Sequence, residues 1–121
     1  MTSLSQGTER QPVVLTAEAI AALPLEPLGR LEGVMHRVLW RDATSMSGVL
    51  TIEAGKRLGA HRHRRNHHHI FVLDGDPLVL GQRLGPGGYA HVPDGVEHDI
   101  EASADRPCTV LYMYLRPGTE D

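Results

Sequence analysis

Five of the eight histidines in this 121-residue chain fall between positions 61 and 69, in the run His61-Arg62-His63-Arg64-Arg65-Asn66-His67-His68-His69. His91 and His98 follow, on either side of Pro93-Asp94-Gly95. Neutral imidazole is a donor suited to zinc and the first-row transition metals, and a site needs three or four such donors converging on one point. The chemistry in view is that of a bound metal ion, which can polarise a carbonyl, acidify a bound water or activate oxygen beside a substrate.

Convergence has to come from the elements that carry these side chains. Thr16 is placed to cap a short helix over 17–23, which Pro24 and Pro27 would stop. Beyond it helical periodicity is lost. Runs of β-type residues at 33–40, 47–54, 67–73, 77–80, 89–92, 98–102 and 108–115 alternate with turn signals such as Asp74-Gly75-Asp76 and Gly85-Pro86-Gly87-Gly88. Such short, evenly punctuated runs indicate an antiparallel sandwich or barrel.

Side chains along a strand alternate between its two faces. His68, Ile70 and Val72 therefore share one face of the 67–73 run, with His67, His69, Phe71 and Leu73 on the other. His98, Ile100 and Ala102 share a face, while Asp99 and Glu101 point to water. His61 and His63 are two apart and lie on one side of any strand they join. Four histidines, His61, His63, His68 and His98, can then face one interior; His67 is the alternative to His68. His36 and His91 read as ordinary strand and turn residues, and Phe71 and Leu73 call for a cover, either the N-terminal helix or a second subunit.

Composition bounds the rest. A chain of 13.3 kDa forms one domain, here 16–121 behind an extended or disordered tail at 1–15. The single cysteine, Cys108, cannot pair within the chain, no signal peptide is visible and no apolar run nears the ~20 residues that span a bilayer, so a cytoplasmic location is expected. A formal charge of −3 offers no basic footprint for nucleic acid. Arg57, Arg62, Arg64 and Arg65 form a local basic group, read as a solvated turn in preference to a clamp for an anionic substrate.

Two stretches resemble the paired motifs of the cupin superfamily. The first motif, G-x5-H-x-H-x(3 or 4)-E-x6-G, is matched over 55–75 by Gly55, His61, His63, His68 and Gly75. The second, G-x5-P-x-G-x2-H-x3-N, is matched over 87–102 by Gly87, Pro93, Gly95 and His98. Two departures stand out: His68 replaces the glutamate, and Ala102 occupies the asparagine position. The resemblance implies a jelly-roll β-barrel or sandwich, a homodimer, and one divalent ion (Fe, Mn, Ni or Zn) held by His61, His63, His68 and His98. The spacing to Gly75 and the face shared with Ile70 and Val72 favour His68 over His67.

Four neutral imidazoles leave a divalent ion its full charge, where a glutamate would cancel part of it. Such a centre is a stronger Lewis acid. All-histidine sites of this kind are similar to those of β-diketone-cleaving dioxygenases, certain polyketide cyclases and small thermophilic manganese cupins. The leading expectation is a metal-dependent, dioxygenase-like enzyme acting on a small carbonyl or enolisable substrate, with the four histidines as its catalytic centre. A non-redox cyclase or isomerase, or a non-catalytic metal or small-molecule sensor, is the alternative. Protein acid–base groups are scarce: Tyr89, Tyr112, Tyr114, Trp40 and Glu97 are the extras available.

Overall fold

A computed structural model describes residues 11–61 and 65–116. The elements are helix α1 (Ala17–Ala21) and strands β1 (Glu26–Pro27), β2 (Val34–Arg41), β3 (Met46–Ile52), β4 (His67–Asp74), β5 (Leu78–Val79), β6 (Gln82–Arg83), β7 (Tyr89–Val92), β8 (Ile100–Glu101) and β9 (Cys108–Leu115). They form a six-stranded sheet, β1-β2-β3-β9-β4-β7, and a three-stranded sheet, β6-β5-β8. All the pairings are antiparallel. The fold is the expected all-β sandwich, and the sheets do not close into a barrel.

Period-two alternation builds the core. Leu50 and Ile52 of β3, Ile70 and Val72 of β4, and Val110 and Tyr112 of β9 are buried, and Val79 and Ile100 meet them from the smaller sheet. Cys108 is buried among them as a free thiol, and desolvation pushes its pKa up to about 11, which makes it unreactive.

Local chemistry accounts for the boundaries. Thr16 caps α1 by accepting the Ala19 N–H at 3.0 Å, and the helix ends at Ala21, two residues short of the expected 23, because the Ala22 N–H turns back onto the final carbonyls. The 77–80 run is interrupted at Leu80 (φ 49°) and Gly81 (φ 79°), whose left-handed backbone folds β5 back on β6. The expected strand at 98–102 narrows to β8, with His98 and Ala102 held outside it by pairing to the 56–61 segment.

The N-terminal helix does not supply the cover expected for Phe71 and Leu73. It lies on the β2 side, where Arg37 Nε donates to the Leu23 carbonyl at 3.2 Å. Phe71 and Leu73 remain 40% and 45% exposed.

One polar pair is buried in the sheet. His36 Nδ1 and the Tyr112 hydroxyl are 2.6 Å apart, and Gly48 makes room for the phenol, because a Cβ there would sit 2.5 Å from Tyr112 Oη. Removing the hydroxyl leaves a buried imidazole nitrogen without its partner, which costs about 1–3 kcal/mol. Tyr112→Phe should therefore lower the denaturation midpoint by that amount at an unchanged m-value.

Burial also holds the His36 pKa below its usual 6.5, with Glu26 opposing the shift and Arg41 reinforcing it. Below pH 6.5 the unfolded chain then takes up a proton that the folded chain refuses, so stability falls as pH drops. A series of denaturation curves should be flat between about pH 7 and 8, below the range where the raised Cys108 pKa begins to cost stability. It should decline through the interval below 6.5, less steeply in a His36→Gln variant.

Candidate metal centre

One strand and two bridge-paired segments bring three histidines together. His68 stands near the start of β4, paired on either side with Val92 of β7 and Tyr114 of β9, with its side chain fully buried. His61 and His98 face each other in an antiparallel bridge, exchanging N–H···O bonds of 2.9 and 2.8 Å, and their rings lie 4.2 Å apart. His68 Nδ1 is 2.6 Å from His98 Nε2. Each of His61, His68 and His98 offers a ring nitrogen within 4.8 Å of the other two.

Backbone carbonyls orient two of these rings. His61 Nδ1 is 2.7 Å from the Gly59 carbonyl, and His98 Nδ1 is 3.0 Å from that of Val96. With each Nδ1–H donated to a carbonyl, the Nε2 atoms are turned to the interior, His98 Nε2 toward His68 Nδ1, an orientation that metal-ligating histidines adopt. Burial pushes the His98 pKa down; the Val96 carbonyl and Asp99 oppose this, and His61 adds to it. The ring is therefore neutral and able to act as a donor at neutral pH. Three imidazoles with converging nitrogens suit a divalent ion of the zinc or first-row transition class.

His63, Arg62 and Arg64 lie outside the described residues. Of the two adjacent candidates on β4, His68 joins the inner group and His67 faces outward toward His91. Tyr114 packs at a tilt of 56° against His68 with a ring separation of 4.5 Å, and burial, with Tyr112 adding to it, pushes its pKa far up. Tyr112 sits one step deeper, bonded to His36. Glu97 and Tyr89 are solvent-facing, and Trp40 packs near the N-terminal segment. A hollow of about 420 Å³ adjoins the centre, walled by Leu28, Leu31, Leu58 and Tyr114, with His61 at its edge.

Asp99 is the residue that alternation misjudged. Rather than pointing to water, its carboxylate accepts the Gly59 N–H at 2.8 Å and its own neighbour's N–H at 2.7 Å, while Arg57 pairs with the second oxygen at 3.2 Å. Gly59 is also the residue whose carbonyl holds His61, so Asp99 positions that ring through two bonds. Arg57 is committed to this bracket. Asp99→Ala should weaken metal binding about 10-fold, the lower range for losing a group that orients a ligand, with Asp99→Asn retaining most of the affinity; metal-binding isotherms check this.

A family model, the ChrR Cupin-like domain, matches residues 10–117. The chain belongs to that family. Its solved structural relatives include the Rhodobacter sphaeroides SigE complex with the anti-sigma ChrR (23% identity, TM-score 0.67), which matches 78% of this chain and 49% of the other. The cupin-like chain thus spans about half the length of that relative. A predicted oxalate decarboxylase from Thermotoga maritima superposes with a TM-score of 0.73 at 15% identity, covering 86% of this chain and 99% of the other. The polyketide cyclase RemF from Streptomyces resistomycificus gives 0.68 at 19% identity, with 87% and 83% covered. These likenesses establish the cupin fold. No curated protein matches the sequence significantly. Among the described residues no helix is long and apolar enough to cross a membrane.

Proposed function

We propose that this ChrR-type cupin holds one divalent transition-metal ion (Fe, Mn, Ni or Zn) through His61, His63, His68 and His98 and acts with it on a small carbonyl-bearing or enolisable molecule. The observation that carries the reading is the buried triangle of imidazole nitrogens beside an apolar hollow. His63 completes the set by its place in the first motif. A bound ion would supply Lewis acidity toward a carbonyl or enolate oxygen and, if redox-active, a site for oxygen.

The protein's own residues would do the rest. The Gly59 and Val96 carbonyls fix two ligand tautomers, so His61 and His98 remain ligands and do not shuttle protons. Leu28 and Leu58, packed against the core, would shield one side of the centre from water. Tyr114, protonated throughout the physiological range, can donate a hydrogen bond to an anionic oxygen beside His68. With no carboxylate among the hollow's described lining residues, the proposed chemistry rests on the ion, which favours dioxygenase-like cleavage of an enolate over multi-step proton transfer. The protein is proposed to work as a cytoplasmic homodimer, which light scattering on the eluted protein checks.

Elemental analysis of anaerobically purified protein, followed by oxygen uptake with a panel of β-diketones, tests this reading. Iron at one ion per chain with substrate-dependent oxygen consumption supports it. Zinc or manganese with turnover but no oxygen uptake moves the activity to a cyclase or isomerase.

A second reading is favoured by the family itself, since the ChrR relative is an anti-sigma factor in complex with SigE. Here the same centre would be a non-catalytic sensor whose metal or small-molecule occupancy controls a protein partner. Metal-dependent retention of a sigma-type partner without turnover of any enol would establish it.

A further inference from the structure

The outer face of the large sheet carries a second group of imidazoles that the buried centre does not use. His67 and His69 flank His68 on β4, so their side chains leave the sheet on the opposite side. His69 is the direct cross-strand partner of His91 on β7, with the rings 4.9 Å apart. The His67 ring stacks on His91 at the same 4.9 Å separation, and His67 Nδ1 lies 2.7 Å from His91 Nε2. Tyr89, two residues before His91, places its hydroxyl 2.7 Å from His69 Nδ1.

These distances have a chemical reading. Two imidazole nitrogens 2.7 Å apart share a single proton. On a tetrahedral ion with metal–nitrogen bonds of about 2.0–2.1 Å neighbouring donors lie about 3.3 Å apart, so this pair would open by roughly half an ångström to take one. An ion can replace the shared proton without net proton release: the N–H moves to the other nitrogen of the same ring, leaving both facing lone pairs for the metal. His69, donating Nδ1–H to the Tyr89 oxygen, keeps its Nε2 lone pair, as an oriented ligand does. Two donors from alternate positions of one strand and one from its neighbour form a triangle on a rigid face. Among the described residues, the inner group alone has its donors all within 4.8 Å of one another. The outer triangle is therefore wider, and binding would draw its solvent-facing rings together about the His69–Tyr89 bond.

We propose that His67, His69 and His91 form a second, solvent-facing metal site, separate from the buried centre, which takes a divalent ion of the zinc, nickel or copper class, with Tyr89 setting the tautomer of His69. The two sites would sit back to back across β4, one served by His68 and the other by its neighbours.

Equilibrium dialysis of the full chain against Zn(II) at micromolar concentration tests the proposal. Its variants are the double substitution His67→Gln with His91→Gln, whose folding is checked by circular dichroism, and the inner-site variant His61→Ala. The double substitution should remove one zinc equivalent or weaken it at least 10-fold, while an equivalent lost in His61→Ala is left in place. If wild type and the double variant bind the same number of ions with the same affinity, the outer site does not exist, whatever happens at the inner one.

Discussion

His98→Ala should abolish metal binding at the buried centre while the fold survives. Losing a group that merely orients a ligand costs 10–100-fold in metal affinity, so losing the ligand itself should cost about 100-fold or more. The cost is high here because His98 does two things at once. Its Nε2 lies 2.6 Å from His68 Nδ1, and its ring is held 4.2 Å from that of His61. The backbone bridge between residues 61 and 98 needs no side chain, so the loop geometry should persist in the alanine variant. The buried space left behind would lower stability modestly. Calorimetric titration with a divalent ion, with thermal denaturation of the apo forms run in parallel, separates lost binding from lost folding.

The largest effect on stability is expected at Gly75. This buried glycine follows β4 with φ +87°, a backbone region that costs an alanine about 1 kcal/mol or more. Its surroundings leave no relief. An added Cβ would press on the Pro107 carbonyl oxygen and come within 2.7 Å of Cys108 Cα, both of them backbone. Overpacking of this kind adds about 1–3 kcal/mol. Gly75→Ala should therefore destabilise the domain by about 3 kcal/mol and lower Tm by roughly 10 °C. Metal affinity of the remaining folded protein should hardly change, because the Gly75 neighbours lie at the far end of β4 from the histidines.

How much of this was legible in the chain differs from residue to residue. Alternation along 67–73 separated His68, Ile70 and Val72 from His67, His69 and Phe71, and β4 follows that division. The turn at Pro93-Asp94-Gly95 delivers an inward His98. What periodicity could not reach were relations between distant segments. The Asp99 carboxylate meets the Gly59 amide across forty residues, a contact set by the bridge between His61 and His98 and by nothing in the local pattern. The pairing of His67 with His91 depends in the same way on the β4–β7 register, so these rings read as solvated until that register is known. The shortening of the 77–80 run to β5, with β6 folded back after it, turned on the left-handed backbone of Leu80, a conformation that a leucine does not advertise.

The central claim is that the ion sits among His61, His68 and His98 on the inner side of β4. Anomalous diffraction from crystals of the metal-loaded protein, recorded at the absorption edge of the bound element, tests this most directly. The account predicts a peak bonded to the Nε2 atoms of His61 and His98, at about 2.0–2.2 Å if the ion is zinc or one of similar size. A fully loaded protein with no peak there, and its metal bound only elsewhere, would contradict it.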